Sequence, residues 1–287
     1  MNGYEALHNG AAVVDYSARG RIRATGEDRK RLLHAMTTNH VQEMEPGDTR
    51  YAFFLNAQGR ILSDVWIYCG EDHLLLDVEP EAREKIFAHL DRYIIADDVT
   101  LEDATLSTAE LEVAGPAAPA AAAGAVFRST LTGQPGYRIV IPAPERDATI
   151  ASLVAQGCVP ASAAEAETVR VENGVARYGA DITEANLAQE TRLAQALHFN
   201  KGCYLGQEIV ERVRSRGHVN RTLCALAISG TEVPAAGTKV LSGEKESGEI
   251  TSAVYSPGQG LVRALAYLRT TENLAVAGNA AQAVQQG

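Results

Sequence analysis

The stretch His198-Phe199-Asn200-Lys201-Gly202-Cys203-Tyr204-Leu205-Gly206-Gln207-Glu208 runs on into Ile209-Val210-Glu211-Arg212-Val213-Arg214-Ser215-Arg216-Gly217. Two glycines bracket a cysteine and a tyrosine, a lysine stands two residues ahead of the cysteine, and an amide-acid pair follows. Glycine suits positions where the backbone takes a positive φ or passes close to another group. A cation beside a cysteine favours its thiolate by lowering the thiol pKa. The segment Glu208 to Arg214 reads as a short helix, so Gly202 to Gly206 is expected to lead into a helix N-terminus. Free N–H groups there attract anions. A tight turn around a buried structural cysteine would explain a lone Gly-Cys pair, but not this density of special residues.

Working outward, 287 residues are enough for a sizeable core and two or three subdomains. The balance of 46% hydrophobic and 22% charged residues is that of a globular chain. A net charge of −10 and a pI near 5.2 make it a poor general binder of nucleic acid or anionic membrane, so any anion site must be local. Lys201, Arg212, Arg214, Arg216 and Arg221 supply such a local excess. Cys69, Cys158, Cys203 and Cys224 are scattered without zinc or iron–sulfur spacing, so no metal site is expected from this chain alone. The N-terminus lacks the order of a secretion signal, and no apolar run approaches the ~20 residues that span a bilayer. These features point to a cytoplasmic protein with reduced thiols and no membrane partner.

Along the chain, Val13 to Asp15 and Arg21 to Ala24 read as strands around a polar turn, and 27–37 as a helix. Tyr51 to Leu55 and Ile61 to Tyr68 read as a hairpin closed by Asn56-Ala57-Gln58-Gly59-Arg60. Asp64 sits within the second run and, by alternation, is expected to face solvent unless it is held for a purpose. His73 to Val78 is a strand, and 81–93 a helix burying Ile86, Leu90 and Tyr93. Extended segments follow at 99–102 and 104–113, then an Ala/Pro-rich linker at 114–124. A strand at 136–141 and helices at 146–156, 162–170 and 190–197 complete the body. Residues 221–287 lack helical periodicity and read as a small all-β barrel.

Lys201-Gly202-Cys203-Tyr204-Leu205-Gly206-Gln207-Glu208 resembles the signature of YgfZ-type folate-binding proteins, relatives of the glycine-cleavage T-protein, an aminomethyltransferase. Phe54 to Asp64 resembles the same family's Leu-x-x-x-Gly-Arg-Ile hairpin, and Arg170-Val171-Glu172-Asn173-Gly174 its Arg-x-Glu-x-Gly segment. The resemblance implies an α+β fold of two interleaved ferredoxin-like halves around a central folate pocket, over 1–220, and a C-terminal barrel over 221–287. It implies tetrahydrofolate, or a one-carbon derivative, as ligand. Asp64 then takes the place of the acid that assists one-carbon transfer, although Ser63 stands where the T-protein carries a second acid.

Glu172 matches a glutamate placed to read the pterin edge, whose two parallel donors suit a carboxylate fork. Tyr204, Asn56 and Gln207 are expected beside the folate. Arg212, Arg214 and Arg216, spaced by two, would face one way on a strand and could hold the glutamate tail, or form a solvated basic face; Arg192 is a further candidate. Cys203, with Lys201, is a candidate nucleophile or redox thiol, a transient cluster ligand, or a packed thiol. The function implied first is a tetrahydrofolate-binding accessory protein for iron–sulfur clients or assembly proteins, including enzymes of tRNA modification. The alternative is a folate-dependent aminomethyltransferase, and a tRNA-binding role is disfavoured by the net acidity.

Overall fold

The computed structural model describes residues 1–120 and 125–284. Helix α1 (Gly3–Asn9), started by an Asn2/Glu5 capping box, leads into strand β1 (Ala12–Asp15). The chain then builds β2 (Gly20–Thr25), α2 (Arg29–Met36), β3 (Thr49–Leu55), β4 (Ile61–Cys69), β5 (His73–Val78), α3 (Arg83–Asp91) and β6 (Thr100–Asp103). It continues through β7 (Thr108–Ala114), β8 (Ala125–Phe127), β9 (Gly136–Pro142), α4 (Arg146–Ala155), β10 (Val159–Ala161) and α5 (Ala163–Glu172). After short 3-10 turns come α6 (Gln207–Arg216) and the strands β11 (Thr222–Ile228), β12 (Lys239–Ser242), β13 (Lys245–Ser256), β14 (Leu261–Leu268), β15 (Leu274–Val276) and β16 (Asn279–Val284).

The fold is α+β, with two five-stranded sheets and a closed six-stranded barrel. The first sheet runs β10-β1-β7-β9-β8 and the second β3-β4-β5-β2-β6. The chain therefore leaves the first sheet after β1, completes the second, and returns at β7. The polar turn at 17–20 thus carries the chain from one sheet to the other. The Ala/Pro segment is no bridge between units. It joins β7 to β8 within one sheet, and Ala114 is the buried last residue of β7. Residues 121–124 of that segment lie outside the described residues.

Each sheet has one face covered by helices. Leu32, Leu33 and Met36 of α2, with Ile86 and Leu90 of α3, pack on Ile61, Val65 and Ile67 of the second sheet. Leu153 of α4 packs on Val13, Leu111 and Ile139 of the first. The remaining faces approach each other through Leu75, Phe127 and Val140, with Trp66 and Tyr68 alongside. Arg138 lies between the sheets, its guanidinium 4.7 Å from the Phe127 ring and 5.4 Å from that of Trp66.

Some expected elements differ. Helix α3 ends at Asp91, which leaves Tyr93 40% exposed rather than in the core. The helix expected over 190–197 is instead two 3-10 turns, Ala188–Thr191 and Ala194–Ala196, broken at Arg192, whose φ of 60° no α-helix accommodates. Segment 207–216 is a helix, so residues two apart lie ~200° around its axis. Arg212 and Arg214 cannot share a face. Two short strands, β15 and β16, complete the expected barrel, and β16 closes it on β11. Among the described residues no helix is long and apolar enough to cross a membrane.

The hairpin and the Lys-Gly-Cys-Tyr loop meet. Gly206 has φ 83°, and a Cβ there would lie 2.6 Å from the Asn56 carbonyl oxygen. Gly59 has φ 71°, and a Cβ there would lie 2.6 Å from Cβ of Ile209. Glycine is required at both positions by backbone conformation and by contact.

Candidate functional site

Between the facing sheets, beside α5 and the turns that follow it, lies a cavity of about 420 Å³. This volume falls in the range that holds cofactor-sized organic molecules, roughly 300–1,000 Å³. Tyr16, Tyr51, Trp66, Leu131 and Leu193 give it aromatic and apolar walls. Its charged groups are Asp64, Glu79, Glu167, Arg19, Arg170 and Arg177.

Asp64 is the central acid. Residues 64 and 66 share a face of β4 by strand alternation, and that face looks onto the other sheet instead of water. Asp64 is consequently only 8% exposed, contrary to the solvent-facing expectation. Its Oδ2 accepts a hydrogen bond from the Tyr51 hydroxyl at 2.8 Å, while Oδ1 has no partner among the described residues. Burial, reinforced by the nearby Glu79, pushes its carboxyl up to about 7, against the opposing pull of Arg19 and Tyr51. The Tyr51 ring is fixed against Trp66 and Phe53, at centroid distances of 4.8 and 5.8 Å.

The cations differ in how firmly they are held. Arg19 donates from Nε to Asp77 at 2.6 Å and from its terminal nitrogen to Glu79. Arg170 forks onto Glu167 at 2.8 and 2.7 Å and also donates to Asp181, Ser252 and the Val175 carbonyl. Arg177 makes only ionic contacts, 3.7 Å to Glu79 and 3.9 Å to Glu167, and its Nε has no hydrogen-bond partner among the described residues.

Of the residues singled out in the sequence, Asp64 lines this cavity and the others stand elsewhere. Glu172 is buried, but its oxygens are taken by the Tyr4 hydroxyl and by His8 Nε2, each at 2.8 Å, on the side of α1. It follows Arg170 by two helical positions and so points away from the face that carries Glu167 and Arg170. Tyr204 is buried in the core of the second sheet, and burial raises its hydroxyl to about 12. Asn56 shapes the hairpin loop, its Oδ1 accepting from the backbone N–H groups of Gln58 and Arg60. Gln207 turns back toward the Tyr204 N–H at 3.4 Å. Arg212 and Arg214 are exposed on α6 and pair with Glu208 and Glu211, with Arg214 also over the Phe199 ring.

Cys203 is the exposed cysteine, while Cys69, Cys158 and Cys224 are buried. Lys201 does not poise it as the spacing suggested. The ammonium is buried, and its three N–H groups donate to the carbonyls of His34, Thr37 and Asn39 at the end of α2. Burial pushes it down to about 7. Its geometry is that of a structural clamp between the loop and α2. Lys201→Met should therefore destabilise the fold by about 1–3 kcal/mol, by stranding buried carbonyls. Urea unfolding at pH 6, where the ammonium is charged, checks this; a midpoint equal to the wild type would exclude the clamp.

Sequence reasoning missed Tyr51, Glu79, Glu167 and Arg177. The hairpin register held part of the signal. Phe53 pairs with Asp64 and Tyr51 with Trp66, which makes Tyr51 and Asp64 diagonal neighbours on one face. Among the described residues no group of three His, Cys, Asp or Glu side chains is arranged to hold a metal ion.

Residues 2–125 match the family model described as the GCVT N-terminal domain. The chain is 28% identical to the aminomethyltransferase of Nostoc sp., over 92% of this chain and 78% of that protein. It is 28% identical to the aminomethyltransferase of Thermus thermophilus, over 92% and 81% of the two chains. A putative chloroplastic transferase of Arabidopsis thaliana is 26% identical, over 86% of this chain and 63% of its own. Among solved structures, the glycine cleavage system aminomethyltransferase T of Bartonella henselae superposes with a TM-score of 0.88 at 19% identity, covering 99% of this chain and 87% of that one. The chain thus matches the GCVT N-terminal domain model over its first part and shares its fold with that aminomethyltransferase structure.

Proposed function

We propose that the cavity binds a reduced folate and that the chain transfers a one-carbon unit there in the manner of an aminomethyltransferase. The observation that carries this reading is Asp64: a buried carboxylate on the cavity wall, with one oxygen fixed by Tyr51 and the other free to meet a ligand. The cavity fits the group. Aromatic walls suit the faces of a pterin, and a buried acceptor without a partner suits one of its N–H groups. The names of the relatives support aminomethyl transfer over an accessory role in iron–sulfur assembly.

A bound tetrahydrofolate would supply the nucleophilic nitrogen. Asp64 Oδ1 would accept the N–H of that nitrogen and hold it toward the methylene carbon of the donor. With the donor amine protonated, the folate nitrogen would bond the methylene carbon as the carbon–ammonia bond breaks, its proton passing to Asp64. A second folate nitrogen would then bond the same carbon as the carbon–sulfur bond breaks, its proton passing to the departing thiolate. An acid that titrates near 7 can accept and return a proton at neutral pH. In the same reading, residues 1–220 are the folate-binding unit and 221–287 a barrel that braces it through Ser252 on Arg170 and Thr251 on Asp181.

The YgfZ-type alternative rests on Cys203. That thiol is exposed and is not among the residues that line the cavity, so a role with an iron–sulfur client would be separate from the folate chemistry. The test is calorimetric titration with tetrahydrofolate, together with ammonia release from an aminomethyl-lipoyl protein. Binding should survive Glu172→Ala, because Glu172 faces α1. Absence of tetrahydrofolate binding, or ammonia release no faster than without protein, would defeat the reading.

A further inference from the structure

We infer that Arg177 is the anion anchor of the cavity and selects ligands that carry a carboxylate; this rests on the folate reading for the ring but not for the anchor. Three arginines line the cavity: Arg170 spends all five N–H groups on Glu167, Asp181, Ser252 and a carbonyl, and Arg19 is tied to Asp77 and Glu79 through Nε and one terminal nitrogen. Arg177 alone among these three makes no side-chain hydrogen bond to the described residues. Its carboxylate neighbours lie at 3.7 and 3.9 Å, beyond hydrogen-bond reach, and its buried Nε is unpartnered. A buried donor without a partner is costly, and a ligand that completes it gains correspondingly.

The side chain is 38% exposed, which places it at the mouth of the cavity and Asp64 further in. A ligand long enough to reach both would present its N–H groups to Asp64 and its anion to Arg177. The planar guanidinium matches a carboxylate in a two-bond fork. Glu79 and Glu167 beside it would repel a doubly charged phosphate more than a singly charged carboxylate. This geometry replaces Arg212 and Arg214, which lie outside the cavity, as the candidate for the folate tail.

The experiment compares three probes by calorimetry on wild type, Arg177→Met and Arg177→Lys: tetrahydrofolate, a tetrahydropterin lacking the tail, and p-aminobenzoyl-glutamate, the tail alone. Arg177→Met should weaken both tail-bearing probes about 10- to 100-fold, the size of one charge-assisted contact, and leave the tail-less pterin within about 2-fold. Arg177→Lys should recover part of the loss. Equal weakening of all three probes, or of none, overturns the anchor. If wild type binds the two tail-bearing probes equally, through Arg177, and does not bind the tail-less pterin, the folate reading fails and the anchor stands. If it binds the pterins equally and ignores the tail, the anchor fails and the folate reading stands. If it binds none of them, both fall.

Discussion

Asp64→Asn should abolish most of the transfer activity while making the protein more stable at pH 8. The substitution keeps the shape and an acceptor for the Tyr51 hydroxyl but cannot take a proton. Loss of a general base lowers kcat/KM by about 100-fold or more. The stability gain follows from linkage. The carboxyl has a folded-state value of about 7, above its ordinary 3.8, because it is buried and faces Glu79. Between those values the folded protein holds a proton that the unfolded chain releases, so wild-type stability falls as pH rises from about 4 to 7 and stays reduced above it. At about 1.4 kcal/mol for each pH unit between the two values, the penalty has a ceiling of about 4 kcal/mol. Asparagine escapes it. Urea unfolding should show the variant equal to wild type near pH 4 and more stable at pH 8. A variant that is both active and unchanged in its pH dependence would remove Asp64 from the mechanism.

Arg138→Met should cost about 3–5 kcal/mol, the loss expected when one partner of a buried ion pair is removed. Arg138 is fully buried between the sheets and donates to Asp77 on β5 and Glu110 on β7, one acid from each sheet. Arg19 and Arg21 complete the cluster with Glu79, so three arginines face three carboxylates. Burial raises Asp77 in principle, but Arg19 and Arg138 prevail and hold it below the usual carboxylate range. Glu110 is raised, by burial and by Asp77. Methionine would fill the volume but leave Asp77 with Arg19 alone and Glu110 with Arg21 alone, the latter pair 3.7 Å apart, in a dry interface. The double variant Arg138→Met with Asp77→Asn should recover part of the loss, because it removes one of the stranded charges. A melting temperature for Arg138→Met within a degree or two of wild type would show that the cluster does not join the sheets.

The same cluster sets the field at the cavity: Glu79 raises Asp64 and Arg19 lowers it, so the groups that join the sheets also tune the candidate base.

The sequence by itself determined the local pieces. Alternation marked β3 and β4 and the loop between them, apolar stripes marked α2 and α3, and the change of pattern after Arg221 marked the barrel. The motif resemblance also led to the fold class, and it pointed to Asp64, which lines the cavity. These features are legible because backbone periodicity and turn chemistry act over a few residues. What only the tertiary structure decided is which faces meet. Asp64 reads as solvent-facing until the first sheet is seen to cover β4. Glu172 reads as a pterin ligand until its place on α5 turns it toward Tyr4 and His8. Lys201 reads as a partner of Cys203 until the end of α2 and the turn after it take all three of its donors. Arg177 carries no local mark; it is singled out because the acids near it stop just short of a hydrogen bond. In each case the deciding contact joins residues far apart in the chain, and no periodicity encodes it.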